Sequence, residues 1–420
     1  MKDEPRISNL LSFYFLLFTA QASNSRMRRT APMNVDLIKS VLGLDPSEKV
    51  KLSKEKNVAT LWAGYGTIGS FNVSSQQKNT PIIVKRVHPP GNSTSVGNHP
   101  PGNSTSVGNQ RKVKSYHIEA YFYQELAPVI LHLNNEGIVE CPIANPYSIE
   151  TEEEEDTPSF TFLLSDLTDS FGMGYNSNMD QIKKAISWLA AFHSVFYSHP
   201  ALSKTNNCKV WTEGGYWHLK TRLDELEAIP SYHSVLKKSA FAIDKRMNDG
   251  APSSFTLVHG DFKEANILFG KDDAGDWTCA AVDFQYCGRG YGAKDLVMFV
   301  VSSVSTKVFH QLGEDGMLQF YADELKMNLD AIGKFSAEEI ARMTNVATLT
   351  SQYELAMVDY VRFMAGWGFW GSCSDYAERR ASEILKDITS SWSGKQTNHT
   401  MQDLTREDWE EAIYEKYPLL

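Results

Sequence analysis

The stretch from Val258 to Gln285 constrains this chain more than any other part of it. It reads Val258-His259-Gly260-Asp261-Phe262-Lys263-Glu264-Ala265-Asn266-Ile267-Leu268-Phe269, then a polar turn from Lys271 to Asp276, then Trp277-Thr278-Cys279-Ala280-Ala281-Val282-Asp283-Phe284-Gln285. Two apolar runs flanking a polar turn predict a β-hairpin. Asp261 precedes the first run, Asn266 opens it and Asp283 closes the second. A hairpin therefore sets Asn266 and Asp283 side by side. An amide oxygen and a carboxylate so placed suit Mg²⁺, a hard cation that takes oxygen ligands and shares them with phosphates. Asp261 then stands a few residues away, able to orient or deprotonate a hydroxyl. The bland alternative is a buried His and two surface Asp in an ordinary hairpin.

These groups have the layout of phosphoryl transfer from ATP. The spacing Asp261-x-Lys263-x-x-Asn266, followed by Asp283-Phe284, resembles the catalytic and metal loops of protein kinases. Gly260 and Gln285 depart from the His-Arg-Asp and Asp-Phe-Gly forms of those loops. The stretch looks more like the small-molecule kinases related to aminoglycoside phosphotransferases and choline kinases. Within that group it resembles the ecdysteroid-kinase-like (choline/ecdysteroid kinase-like) family. The resemblance implies an α+β, two-lobed protein-kinase-like fold, with a small β-rich N-terminal lobe and a larger, mainly helical C-terminal lobe. It also implies ATP and Mg²⁺ as cofactors and a small-molecule hydroxyl acceptor as partner.

A nucleotide clamp is expected upstream. Gly64-x-Gly66-x-x-Gly69 is weak alone, because it also opens dinucleotide-binding helices. Here no amphipathic helix follows: Ser70-Phe71-Asn72-Val73 leads into a turn and a second run, Pro81-Ile82-Ile83-Val84-Lys85. Strand, glycine turn, strand, turn, strand fits a flap over ATP phosphates. Lys85 ends its run where a kinase carries its phosphate-binding lysine. Ser115 to Ala127 has helical spacing, ends before Pro128 and carries Glu119, which matches the family's Tyr-x-x-Glu-x-x-Phe-Tyr pattern. Glu119 is the expected partner of Lys85; a solvated surface pair is the alternative.

The assigned roles are these. Asp261 is the base or hydroxyl-orienting group. Lys263 neutralises charge on the γ-phosphate. Asn266 and Asp283 hold Mg²⁺, and Lys85, fixed by Glu119, holds the α/β-phosphates. Phe160 to Leu167 stands where the lobes should join. The family usually has Glu where this chain has Ser165, so adenine contacts are expected from the backbone near Ser165–Leu167, while Asp166 caps a turn. Asp295 matches a family aspartate that braces the catalytic loop. His193 reads as a core histidine. Trp211 to His218 resembles a family stretch without an assigned role. Near the C-terminus, Glu354, Asp359, Tyr360, Trp367, Phe369 and Trp370 would suit a cationic acceptor through cation–π contact, but core packing is the better reading.

With 420 residues the chain is long enough for two to three domain-sized units. The expected bounds are a leader over 1–34, disordered or signal-like, a nucleotide-binding lobe over 35–166 and a catalytic, acceptor-binding lobe over 167–420. A net charge of −10 speaks against a nucleic-acid partner. The five cysteines are scattered without a CxxC pair, so reduced thiols are expected. Leu10 to Ala20 is apolar but too short to span a bilayer, so no integral membrane segment is expected. Its flank is barely positive, so a cytoplasmic protein is favoured; entry into the secretory pathway, with residues 1–22 as signal peptide, is the alternative.

The eleven residues from His88 to Asn98 recur unchanged from His99 to Asn109. Two polar copies cannot bury a core, so 88–109 is expected to be a flexible tandem insert. Without it Lys85 and Glu119 are 12 residues apart, a compact connection. Glu152 to Asp156 reads as a solvated hairpin tip. The expected activity is ATP-dependent phosphorylation of a hydroxyl on a small organic molecule (sterol, amino alcohol or sugar-like). The rivals are a catalytically silent nucleotide-binding protein and, on the glycine pattern alone, a dinucleotide-dependent oxidoreductase.

Overall fold

The computed structural model describes residues 33–61, 64–76, 78–89, 106–152, 158–203, 208–394 and 400–418. The expected leader and the acidic tip lie almost wholly outside these residues. The chain divides into two compact units, Met1–Pro128 with Ile143–Gly174, and Val129–Pro142 with Tyr175–Leu420.

The first unit is built on an antiparallel six-stranded sheet. Helix α1 (Val35–Val41) starts at Asn34, whose side chain accepts from the Asp36 and Leu37 N–H groups and so satisfies two orphan donors. The strands are β1 (Lys51–Leu52), β2 (Lys56–Thr60), β3 (Gly66–Ser74), β4 (Asn79–Val87), β5 (Pro146–Glu152) and β6 (Ser159–Ser165). Their order is β1-β3-β4-β6-β5, with β2 also pairing with β3. Residues two apart share a face of a strand. Phe71 and Val73 on β3, Ile82 and Val84 on β4, and Leu163 on β6 accordingly form one core with Ile38 of α1. The same alternation sends Lys85 to the opposite face.

Between β4 and β5 run α2 (Ser106–Tyr121), a π turn (Phe122–Leu126) and α3 (Ala127–Asn135). Two expectations are corrected here. The helix begins inside the second repeat copy, so residues 106–109 are helical and not loop; no proline interrupts Ser106 to Lys114. Residues 90–105 lie outside the described part. The helix also does not stop before Pro128. The π turn changes the hydrogen-bond register just ahead of it, and Pro128 falls at the second position of α3, in a first turn where a missing N–H is tolerated.

The second unit is mainly helical, with α4 (Met179–Phe196), α5 (Ser234–Asn248), α6 (Ala293–Ser303), α7 (Thr306–Ile332), α8 (Val346–Trp367), α9 (Ser374–Ser391) and α10 (Arg406–Lys416). Two antiparallel strand pairs sit among them: β7 (Thr256–Val258) with β10 (Gly288–Gly290), and β8 (Ile267–Lys271) with β9 (Trp277–Ala281). Helix α6 is buried on every side through its apolar middle, Leu296–Val301, as such a run must be. Leu296 through Val301 are all 0% exposed, and each such side chain contributes roughly 1.5–3 kcal/mol by leaving water. That burial anchors the first turn of α6, which carries Asp295. The α+β class and the β-rich and helical character of the two units are those expected.

Candidate active site

In the first unit Lys85 and Glu119 meet. Lys85 Nζ lies 2.8 and 2.7 Å from the two Glu119 carboxylate oxygens. Both residues are buried. The Tyr116 and Phe162 rings each lie 5.7 Å from the ammonium. A buried pair of this kind persists only because each charge compensates the other. Gly64 is in the turn before β3, while Gly66 and Gly69 are on that strand. A Cβ at Gly66 would fall 1.9 Å from the Arg86 carbonyl oxygen, so only glycine admits the β3–β4 approach there. The Ser165 N–H donates to Asn145 O and the Asp166 N–H to Pro81 O. The Asp166 carboxylate accepts from the Thr168 N–H at 2.9 Å, a turn-capping bond.

In the second unit the hairpin β8–β9 forms with Ile267 opposite Ala281. The Val282 N–H donates to Asn266 O at 3.0 Å, which carries the ladder to the positions of interest. Asn266 and Asp283 thus flank adjacent ends of the two strands. Asp283 has φ +71, a left-handed conformation uncommon outside glycine. Asp261 is 6% exposed. Both its carboxylate oxygens accept from Lys263 Nζ at 2.9 Å, and one also accepts from Asn266 Nδ2 at 3.0 Å.

The electrostatics follow from burial. Burial pushes the Asp261 carboxyl above its ordinary range; Lys263 opposes this and the Asp283 charge adds to it. Burial works against the Lys263 ammonium, but Asp261, its hydrogen bonds and Asp283 outweigh that, so its pKa ends above the ordinary value. Burial lowers the pKa of His259. Its Nδ1 accepts from the Asp261 N–H at 3.3 Å and its Nε2 lies 3.1 Å from Val282 O. Those partners select the neutral tautomer with the proton on Nε2.

Asp295 is 0% exposed and accepts from the His259 N–H at 2.6 Å and the Gly260 N–H at 2.9 Å. Its second neighbour is His193 Nε2 at 3.1 Å, and His193 Nδ1 reaches the Tyr321 hydroxyl at 2.8 Å. His193 is therefore a core histidine with both nitrogens engaged.

Sequence reasoning assigned no role to the segment Trp211–His218, which straps the loops together. The Gly214 N–H donates to Arg289 O, the Gly215 N–H to Tyr286 O and the Tyr216 N–H to Gly260 O. The strap accounts for the His-Gly-Asp form. Gly260 has φ +81, and a Cβ there would lie 2.2 Å from Tyr286 O and 2.8 Å from Gly215 N. The available signal was the Gly214-Gly215 pair set among aromatics.

The C-terminal aromatic and carboxylate cluster divides. Tyr360 is buried, and Asp359 is bound to Arg362 and Glu354 to Arg380. Those carboxylates are committed to the protein's own arginines.

The donor set at the hairpin fits Mg²⁺. Among the described residues no group of three or more His, Cys, Asp or Glu forms a metal cage. Mg²⁺ needs none, since it binds through one or two protein oxygens plus phosphate and water. With its Nδ2 given to Asp261, Asn266 keeps its amide oxygen for that purpose.

Residues 216–334 match the model of the Ecdysteroid kinase-like family. No curated protein matches the chain. Among solved structures the chain is similar to a microcompartment-associated aminopropanol kinase, with 15% identity, 84% of this chain and 98% of that one covered, and a TM-score of 0.38. It is similar to an amicoumacin kinase in complex with AMP-PNP and Ca²⁺, with 14% identity, coverage of 71% and 87%, and a TM-score of 0.36. It is also similar to an aminoglycoside phosphotransferase from Streptomyces rimosus, with 12% identity, coverage of 70% and 92%, and a TM-score of 0.32. All five cysteines are free. Among the described residues no helix is long and apolar enough to cross a membrane.

Proposed function

We propose that this chain transfers a phosphoryl group from ATP to a hydroxyl of a small organic molecule. The observation that carries the reading is the buried Asp261 carboxylate, held by Lys263 and Asn266 at the mouth of the hairpin that ends in Asp283. Asp261 would orient the acceptor hydroxyl and take its proton. Its raised pKa makes it a stronger base than a solvated aspartate. Lys263 would leave one carboxylate contact to meet the charge of the transferred group. Lys85, held by Glu119, would bind the α/β-phosphates, and the Gly64–Gly69 segment would cover them. With the Ser165 and Asp166 N–H groups already bonded within the chain, the Leu167 N–H is the remaining backbone donor for adenine in that stretch.

Asn266 and Asp283 would hold Mg²⁺, which when bound neutralises phosphate charge. The left-handed backbone of Asp283 supports a functional position, because strain of this kind gathers at working sites. A cytoplasmic location is proposed on the same ground, since ATP is a cytosolic supply.

The test is ATP consumption by the purified chain across a library of hydroxyl metabolites with Mg²⁺ present, beside ATP and NADH titrations. Turnover that requires an acceptor supports the reading. ATP binding without turnover by any acceptor moves the chain to the silent nucleotide-binding class. NADH binding in place of ATP binding rejects both.

A further inference from the structure

Tyr216 stands beside the catalytic loop with no part in the reading above. Its N–H donates to Gly260 O at 3.0 Å, the residue before Asp261. Its carbonyl accepts from Arg222 Nε at 2.6 Å. These bonds set where the side chain starts, and its neighbours set where it points. Phe363 meets the ring edge-on at 5.2 Å and Tyr286 lies 5.7 Å away. The Lys263 ammonium lies 5.7 Å from the Tyr216 ring centroid. That is inside the ~6 Å range over which an aromatic face attracts a cation.

We propose that Tyr216 is a positioning residue whose ring holds the Lys263 ammonium at the catalytic loop beside Asp261. The effect on rate rests on the phosphotransferase reading; the contact itself does not. Lysine is a point charge on a flexible stem, so the Asp261 carboxylate alone leaves the ammonium able to swing about that contact. A second carboxylate would hold it, but would also repel the phosphate it must meet. A neutral ring holds the cation and adds no net negative charge. The ring in turn sits in a rigid frame. Arg222 lies 4.9 Å from its centroid and is paired with Glu225 at 3.0 Å, so its own charge is balanced.

The test uses the full chain and two readouts. The first is the rate at which trinitrobenzenesulfonate labels Lys263 at one fixed pH, followed lysine by lysine by mass spectrometry. The second is turnover of Mg²⁺-ATP, with water or any acceptor found, split into kcat and KM. Tyr216→Leu is expected to label Lys263 about fivefold faster, with other lysines unchanged, and to lose about tenfold in kcat with the KM for ATP within about twofold. Tyr216→Phe, which keeps the ring, is expected to restore both. Should Tyr216→Leu not fold, as judged by melting, Tyr216→Met takes its place. Lys263 labelling at the parent rate in the ring-less variant overturns the proposal, as does a Tyr216→Phe variant as impaired as Tyr216→Leu. A parent without ATP turnover sinks the phosphotransferase reading alone, because the labelling comparison still decides the contact.

Discussion

His259 Nε2 donates to the Val282 carbonyl at 3.1 Å, so one buried imidazole ties the residues before Asp261 to those before Asp283. Asp295 grips the same loop from below through the His259 and Gly260 N–H groups. The loop before Asp261 and the end of β9 before Asp283 are thereby held in one register.

That bridge makes stability depend on pH. Burial holds the His259 pKa below its ordinary 6.5, so the folded chain keeps the ring neutral where the unfolded chain takes a proton. The unfolded state then binds more protons as pH falls, and stability falls with it. We expect the His259 contribution to be lost between about pH 7 and pH 5, while the carboxyls of Asp244 and Asp261, raised by burial, act in the opposite sense over that window. The parent should therefore lose more melting temperature, or gain less, than His259→Asn as pH falls. A pH series of thermal melts on both proteins checks this; equal slopes would remove His259 as a contributor.

The Lys85–Glu119 pair is expected to reveal itself through asymmetry. Its side chains are 8% and 2% exposed. Glu119→Ala alone leaves a buried ammonium and should cost about 3–5 kcal/mol, while the double variant Lys85→Met/Glu119→Leu should cost much less. Urea denaturation of the four corners of the cycle measures the coupling. Both single variants and the double variant should lose ATP affinity. A double variant that still binds ATP like the parent would detach this pair from the nucleotide.

How much of this was legible beforehand depended on how local the cause was. The β8–β9 hairpin could be read because a polar turn between apolar runs dictates it within about twenty residues. Periodicity gave the strand that ends at Lys85 and the helix that carries Glu119, while their pairing was expected only from the resemblance to the kinase-like family. The strap could not be read. Gly260 is a glycine because the Tyr286 and Gly215 backbones close on it, Gly214 because Val258 and the Gly288 backbone do, and Gly215 because its φ is +108, and no local pattern announces a meeting between distant segments. The helix running on past Pro128 failed for a related reason, since a π turn leaves no residue signature of its own.

Gly260 offers a direct test of the strap. Gly260→Ala must adopt φ +81 and place its Cβ 2.2 Å from the Tyr286 oxygen. Left-handed backbone alone costs an alanine roughly 1–2 kcal/mol, and the clash adds to it. We expect a loss of roughly 3 kcal/mol or more in denaturant titration. Gly275, at φ +88 with nothing near its Cβ position, is the control; Gly275→Ala should show the backbone cost only. Equal losses at both positions would mean that the strap does not press on Gly260.

The tandem repeat sets up a clean deletion. Removing 88–98 or 99–109 gives the same chain, because the copies are identical. Either deletion leaves Ser-Val-Gly-Asn ahead of Gln110, the sequence that opens α2. Shortening the connection between β4 and α2 changes its closure entropy only slowly with length. We therefore expect melting within a few degrees of the parent and ATP turnover within about threefold. Loss of folding would show that the duplicated copy has a structural task.

The two aspartates should separate by function. Asp261→Asn keeps shape and the Asn266 contact but removes the base and the charge that holds Lys263. It should retain Mg²⁺-ATP binding while transfer slows by roughly 10²-fold or more, the usual scale for a lost general base. Asp283→Asn removes a charged metal ligand in the proposed scheme, so nucleotide affinity and turnover should fall together. Nucleotide titration in the presence and absence of Mg²⁺, beside transfer rates with an authentic acceptor, distinguishes the two patterns. An Asp261→Asn protein that turns over at the parent rate would refute the base assignment. An Asp283→Asn protein whose ATP affinity still responds to Mg²⁺ like the parent's would refute the metal assignment, and loss of neither function in either variant would leave Asp261 and Asp283 as scaffold.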